Sequence, residues 1–69
     1  MRRLDAGRYL LREQLQELPG GYVNRRKFIA RRAGRRWLLL EVNTCWGPPY
    51  RALGFFRTLR EAEAHAHAL

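Results

Sequence analysis

Cys45, His65 and His67 are the residues of this chain whose types could ligate a metal or form a nucleophilic pair. The histidines stand two positions apart, which on a helix turns them about 200° from one another, so they cannot close on one ion as an i, i+4 pair does. Adding Cys45 gives three ligands without the paired spacings that mark metal sites. A Cys–His nucleophile also needs an orienting group and a pocket, and nothing in 69 residues suggests either. Gly20-Gly21 and Gly34 lie outside any phosphate-loop spacing and read as turn formers. The expectation is a protein that is not an enzyme and holds no metal and no cofactor.

Charge carries more information. The chain has 14 Lys+Arg against 6 Asp+Glu, for a net charge of +8. Residues 1–23 are nearly neutral, with Arg2, Arg3, Arg8 and Arg12 set against Asp5, Glu13 and Glu17. Residues 38–69 balance Arg51, Arg57 and Arg60 with Glu41, Glu61 and Glu63. Arg25, Arg26, Lys27, Arg31, Arg32, Arg35 and Arg36 therefore supply nearly all of the excess, from a segment without a single acid.

Such a block attracts phosphates by releasing condensed counterions, and its guanidinium groups can bond bidentately to phosphate or to guanine edges. A GC-rich genome accounts for arginine in place of lysine but not for the avoidance of acids here. Nucleic acid is the expected partner, DNA in preference to RNA. The alternative is a small inhibitor or adaptor, of the sort that phages and mobile elements encode, docking on an acidic surface of a host protein. Aromatic residues beside arginines can stack on unpaired bases, and of these Trp46 and Tyr50, flanking Gly47-Pro48-Pro49, are the ones a small core can spare.

At this length there is one domain, spanning 1–69, with a core that has little stability in reserve. With 46% hydrophobic residues it is too apolar for a disordered basic tail. A lone cysteine cannot form an internal disulfide, which points to the reducing cytoplasm. Met1-Arg2-Arg3 is followed by charged residues and not by an apolar stretch, so no signal peptide is expected, and no run approaches the ~20 apolar residues that span a bilayer. No membrane partner is implied.

The elements that would position the basic segment follow from periodicity. Leu4, Leu11, Leu15 and Leu18 recur at helical spacing, with Asp5 as N-cap and Pro19-Gly20-Gly21 as stop, so the pattern predicts a first helix over 5–18. Its leucine stripe could also serve a homodimer. Tyr22 to Val42 reads as two strands about Ala33-Gly34, the second being Trp37-Leu38-Leu39-Leu40-Glu41-Val42. In a competing parse Asn24 caps a helix over 25–33 that Gly34 ends, making a helix-turn-helix. Residues 43–49 read as a loop and 50–56 as a third strand. Thr58-Leu59-Arg60-Glu61 fits a capping box that opens a helix striped by Leu59, Ala62, Ala66 and Leu69.

Gly34-Arg35-Arg36-Trp37 and Gly54-Phe55-Phe56-Arg57-Thr58-Leu59-Arg60-Glu61-Ala62, in the order strand, strand, strand, helix over roughly 27–68, resemble the arm-type DNA-binding domain of tyrosine integrases. In that family a three-stranded sheet packed on one helix enters the major groove. The resemblance implies Arg31, Arg32, Arg35 or Arg51 near phosphates and base edges. No recombinase catalytic domain follows Leu69, so the implied role is a freestanding accessory or regulatory protein. The second strand also departs from the pattern, because it is apolar on both faces; with the first helix over one of them, the hairpin edge or tip would do the binding.

The reading is thus an α+β domain: N-terminal helix, three-stranded antiparallel sheet, C-terminal helix. Its expected core is Leu11, Leu15, Phe28, Leu38, Leu40, Val42, Leu53, Phe55, Leu59 and Ala62. Its expected nucleic-acid-binding residues are Arg25, Arg26, Lys27, Arg31, Arg32, Arg35, Arg36 and Arg51.

Overall fold

A computed structural model describes residues 1–43 and 50–69. Five strands and one helix follow in chain order: β1 (Arg2–Asp5), β2 (Arg8–Glu17), β3 (Val23–Ala33), β4 (Arg36–Asn43), β5 (Tyr50–Phe56) and α1 (Leu59–Ala68). The strands form one antiparallel meander in which each neighbours the next, and α1 packs across β2 to β5 on one face.

The expected N-terminal helix is not present, and the expected three-stranded sheet is a five-stranded one. Residues 5–18 form instead the β1–β2 turn and β2, which pairs with β3 from Arg8↔Arg31 to Glu17↔Val23. Two features hid this. Leu, Arg, Glu and Gln are good helix formers, and intrinsic propensity yields where a long neighbouring strand pairs with the segment along its length. A bulge between Leu10 and Arg12 also interrupts the alternation, so Leu11 and Leu15 land on opposite faces although their spacing is that of one helical stripe. Gly7, at φ +85°, closes the β1–β2 turn.

Residues 25–33, readable as strand or helix, are strand throughout. Ala33 pairs with Arg36 around a two-residue turn whose first position is Gly34 at φ +63°, the glycine-first arrangement favoured where two strands reverse tightly. Asn43 is the last residue of β4, and the rest of the expected 43–49 loop lies outside the described residues.

The helix begins as its sequence predicts. The Thr58 hydroxyl accepts from the Glu61 N–H at 3.1 Å, and Thr58 is extended, as an N-cap requires. Ala62 and Ala66 are fully buried against the sheet, where Leu39 lies between Ala30 and Gly54 on neighbouring strands. These small residues let the helix approach closely, and Leu11, Phe28, Trp37, Leu53, Phe56 and Leu59 pack around the contact.

The core therefore differs from the expected one. Strand β4 turns Trp37 and Leu39 toward α1, leaving Leu38, Leu40 and Val42 half-buried on the other face, while Leu15 and Phe55 are exposed. Among the described residues β2 and β3 outrun β4, whose last pairing is Arg26↔Asn43, so residues 15–25 form a two-stranded arm. No described helix is long and apolar enough to cross a membrane.

Candidate nucleic-acid interface

Register decides which cation stands on which face. Directly paired residues share a face and alternate residues oppose it. On β3, Arg26 and Arg32 therefore stand with Phe28 and Ala30 on the helix side, while Arg25, Lys27 and Arg31 stand with Ile29 on the face that α1 leaves uncovered. Arg36, opposite Ala33, joins the uncovered face, and Arg35 sits in the turn. Arg51, opposite Glu41, is on the helix side.

The carboxylates then divide the expected site in two. Glu41 is buried and accepts from Arg26 Nε at 2.7 Å and from Arg26 Nη2, with Arg51 Nη1 at 3.9 Å. Glu13 pairs with Arg25, Nε to Oε1 at 3.3 Å. Arg25 is thereby committed to Glu13 and Arg26 to Glu41, with the largely exposed Arg51 a looser second partner of Glu41. Among the described residues no carboxylate contacts Arg31, Arg32, Arg35 or Arg36. Arg32 is positioned nonetheless: its Nε donates to the Gly34 carbonyl at 3.2 Å, and its guanidinium lies over the Trp37 ring at 5.6 Å. Lys27 lies mid-strand between Glu13 and Val42.

Arg8 belongs to the same cluster and was missed by sequence reasoning. It stands directly opposite Arg31 on the uncovered face. Like charges at paired positions repel, and the Asp5 carboxylate relieves Arg8 only, accepting from Nε at 2.8 Å and from Nη2. The Arg8 hydrogen bond holds the Asp5 carboxyl below its usual range; desolvation opposes it, the charges of Arg8 and Arg3 add to it, and Asp5 in turn raises Arg8. The signal available was Gly7, a turn former inside the supposed helix, outweighed by the leucine spacing.

Sheet coiling brings Arg8 and Tyr50 to the same cleft although β2 and β5 are not neighbours. Arg8, Arg31 and Tyr50 line this open concavity of about 1030 Å³ together with Ile29 and Leu40. Tyr50 is 63% exposed, and Phe55, opposite Leu38 on the same face, is 59% exposed. Trp46, the other aromatic expected to be free, and Cys45 lie outside the described residues. His65 packs its ring against Phe56, with centroids 5.1 Å apart, at the helix rather than near the cluster.

No protein-family model, curated protein or solved structure matches this chain. The resemblance to integrase arm domains gains nothing from these comparisons, and the site rests on its own geometry.

Proposed function

We propose that this protein binds nucleic acid, DNA in preference to RNA, as an accessory or regulatory factor without catalysis. The end of the β3–β4 hairpin and the adjoining uncovered face would make the phosphate contacts. The observation that carries this reading is the segregation of charge. The sheet's carboxylates pair with Arg8, Arg25, Arg26 and Arg51, whereas Arg31, Arg32, Arg35 and Arg36 cluster about one tight turn with no described carboxylate in contact. Holding several uncompensated guanidinium groups together is unfavourable unless a polyanion receives them, and the closely spaced phosphates of a nucleic acid suit both their planar fork and their number. Phosphate contacts of this kind carry little sequence information and give steep salt dependence.

The test is fluorescence anisotropy with labelled mixed-sequence DNA across ~50 to 200 mM salt. The protein should bind tightly at the low end and weaken steeply. Replacing Arg31, Arg32, Arg35 and Arg36 together by Gln should abolish binding while leaving the circular dichroism spectrum unchanged. Absence of binding at low salt would overturn the proposal and reassign the hairpin to an acidic protein surface.

A further inference from the structure

We infer that the concave face left uncovered by α1 receives the unpaired bases of single-stranded DNA, with Tyr50 as a stacking platform and Arg8 and Arg31 on the backbone phosphates. The inference rests on the nucleic-acid reading and narrows it to a strand type and a face.

Three observations favour this occupant. The first is the combination of surfaces in one cleft: Ile29 and Leu40, an exposed tyrosine and the opposed Arg8–Arg31 pair. Grooves for single strands unite these parts, since a cationic wall follows the backbone while aromatic and apolar groups take the base faces. A duplex keeps its base faces stacked inside and would set only sugar and phosphate against Ile29 and Leu40.

The second is shape. A sheet that reads base edges in the major groove must enter a channel about 12 Å wide. This face instead recedes, with Arg8 and Tyr50 both reaching one concavity from strands that are not neighbours, so it can wrap a thin strand but cannot protrude into a groove.

The third is charge. Arg8 and Arg31 are paired across the ladder with only one carboxylate, Asp5, to serve them among the described residues, so a bridging phosphate would relieve their repulsion. A second copy of this chain would bring another net +8 against the same arginines. The C5 methyl of thymine, absent from uracil, adds apolar surface that Ile29 and Leu40 can cover, which favours oligothymidylate over oligouridylate.

The experiment measures anisotropy of an oligothymidylate of about 12 nucleotides, the matching oligouridylate and a duplex of the same length, each with the full chain. Oligothymidylate should bind about tenfold more tightly than duplex and more tightly than oligouridylate. Tyr50→Ala should weaken oligothymidylate binding by roughly tenfold, the scale of one base–aromatic stack, and leave duplex binding unchanged. Tyr50 is largely exposed, so the variant should keep the circular dichroism spectrum, and Phe55→Ala provides a second, equally exposed probe. Duplex bound as well as the single strand, or a Tyr50→Ala variant with undiminished oligothymidylate affinity, would overturn the inference while leaving nucleic-acid binding intact. Equal affinity for oligouridylate would overturn the choice of DNA, and failure to bind all three would overturn both readings.

Discussion

The guanidinium of Arg12, on β2, donates to the Leu69 carbonyl at 2.9 Å and reaches the Ala66 and His67 carbonyls at 3.2 and 3.3 Å. It thus closes the C-terminal end of α1 from a different element. The last carbonyls of a helix have no partner within it and carry the negative end of its dipole, so a cation there satisfies both needs. The bulge at Leu11 makes this possible, because Arg12 then pairs with Phe28 and shares its face. Arg12→Ala is expected to cost about 1–2 kcal/mol and to speed amide exchange in the last turn of α1. Urea unfolding and hydrogen exchange would check both.

Removal of Arg26 should be felt more strongly. Glu41 is 7% exposed and takes two hydrogen bonds from the Arg26 guanidinium. Arg26→Ala strands a buried carboxylate, and because Arg26 itself is partly exposed the expected loss is about 1–3 kcal/mol. Arg51→Ala, which removes a mostly exposed partner at 3.9 Å, should change stability by less than about 0.5 kcal/mol. Denaturant midpoints of the two variants give the comparison.

The face chosen by β4 can be tested by truncation. Leu39 is fully buried beneath α1, whereas Leu40 is half-buried on the uncovered face. Leu39→Ala should cost about 2–5 kcal/mol and Leu40→Ala clearly less. Equal losses in thermal or chemical unfolding would contradict the assignment of the covered face.

Asp5 gives the chain a pH-dependent contact. Its folded pKa is lowered, chiefly by the Arg8 hydrogen bond. A depressed carboxylate contributes stability that is present above its unfolded pKa, near 3.8, and is lost as pH falls through the lower folded value. The Asp5 carboxyl resonance should therefore titrate below the usual carboxylate range in the wild-type chain. In Arg8→Gln it should return to that range.

Salt dependence separates the two sets of arginines. Removing one arginine that neutralises a phosphate should make the slope of log affinity against log salt shallower by about 0.7 for a single strand or about 0.9 for duplex. Arg31→Gln and Arg36→Gln should each produce such a change. Arg26→Gln should not, because that guanidinium is committed to Glu41.

Much of the C-terminal half is legible in the residues themselves. Thr58 and Glu61 mark a helix start through a purely local hydrogen bond, and Gly34 marks a reversal through its backbone freedom. The strand at 50–56 and the acid-free basic segment are equally plain. The N-terminal third is not, since leucines at 11 and 15 satisfy a helical period while their strand pairing depends on a bulge that no local pattern announces. Arg8 enters the candidate site only with that correction. Arg26 and Arg51 serve Glu41, a partner that neither residue's local sequence pattern points to.

The sequence by itself determined what local chemistry can settle: the excess of arginine between residues 24 and 37, the turn at Gly34 and the capped helix at Thr58. These depend on residue type, backbone freedom and bonds to near neighbours. The tertiary structure alone decided that residues 8–17 are strand, that α1 covers the Trp37 and Leu39 face of β4, and that Arg8, Arg31 and Tyr50 meet in one cleft. Each of those outcomes balances alternatives of similar local energy, and the balance is struck by pairing and packing between residues far apart in the chain.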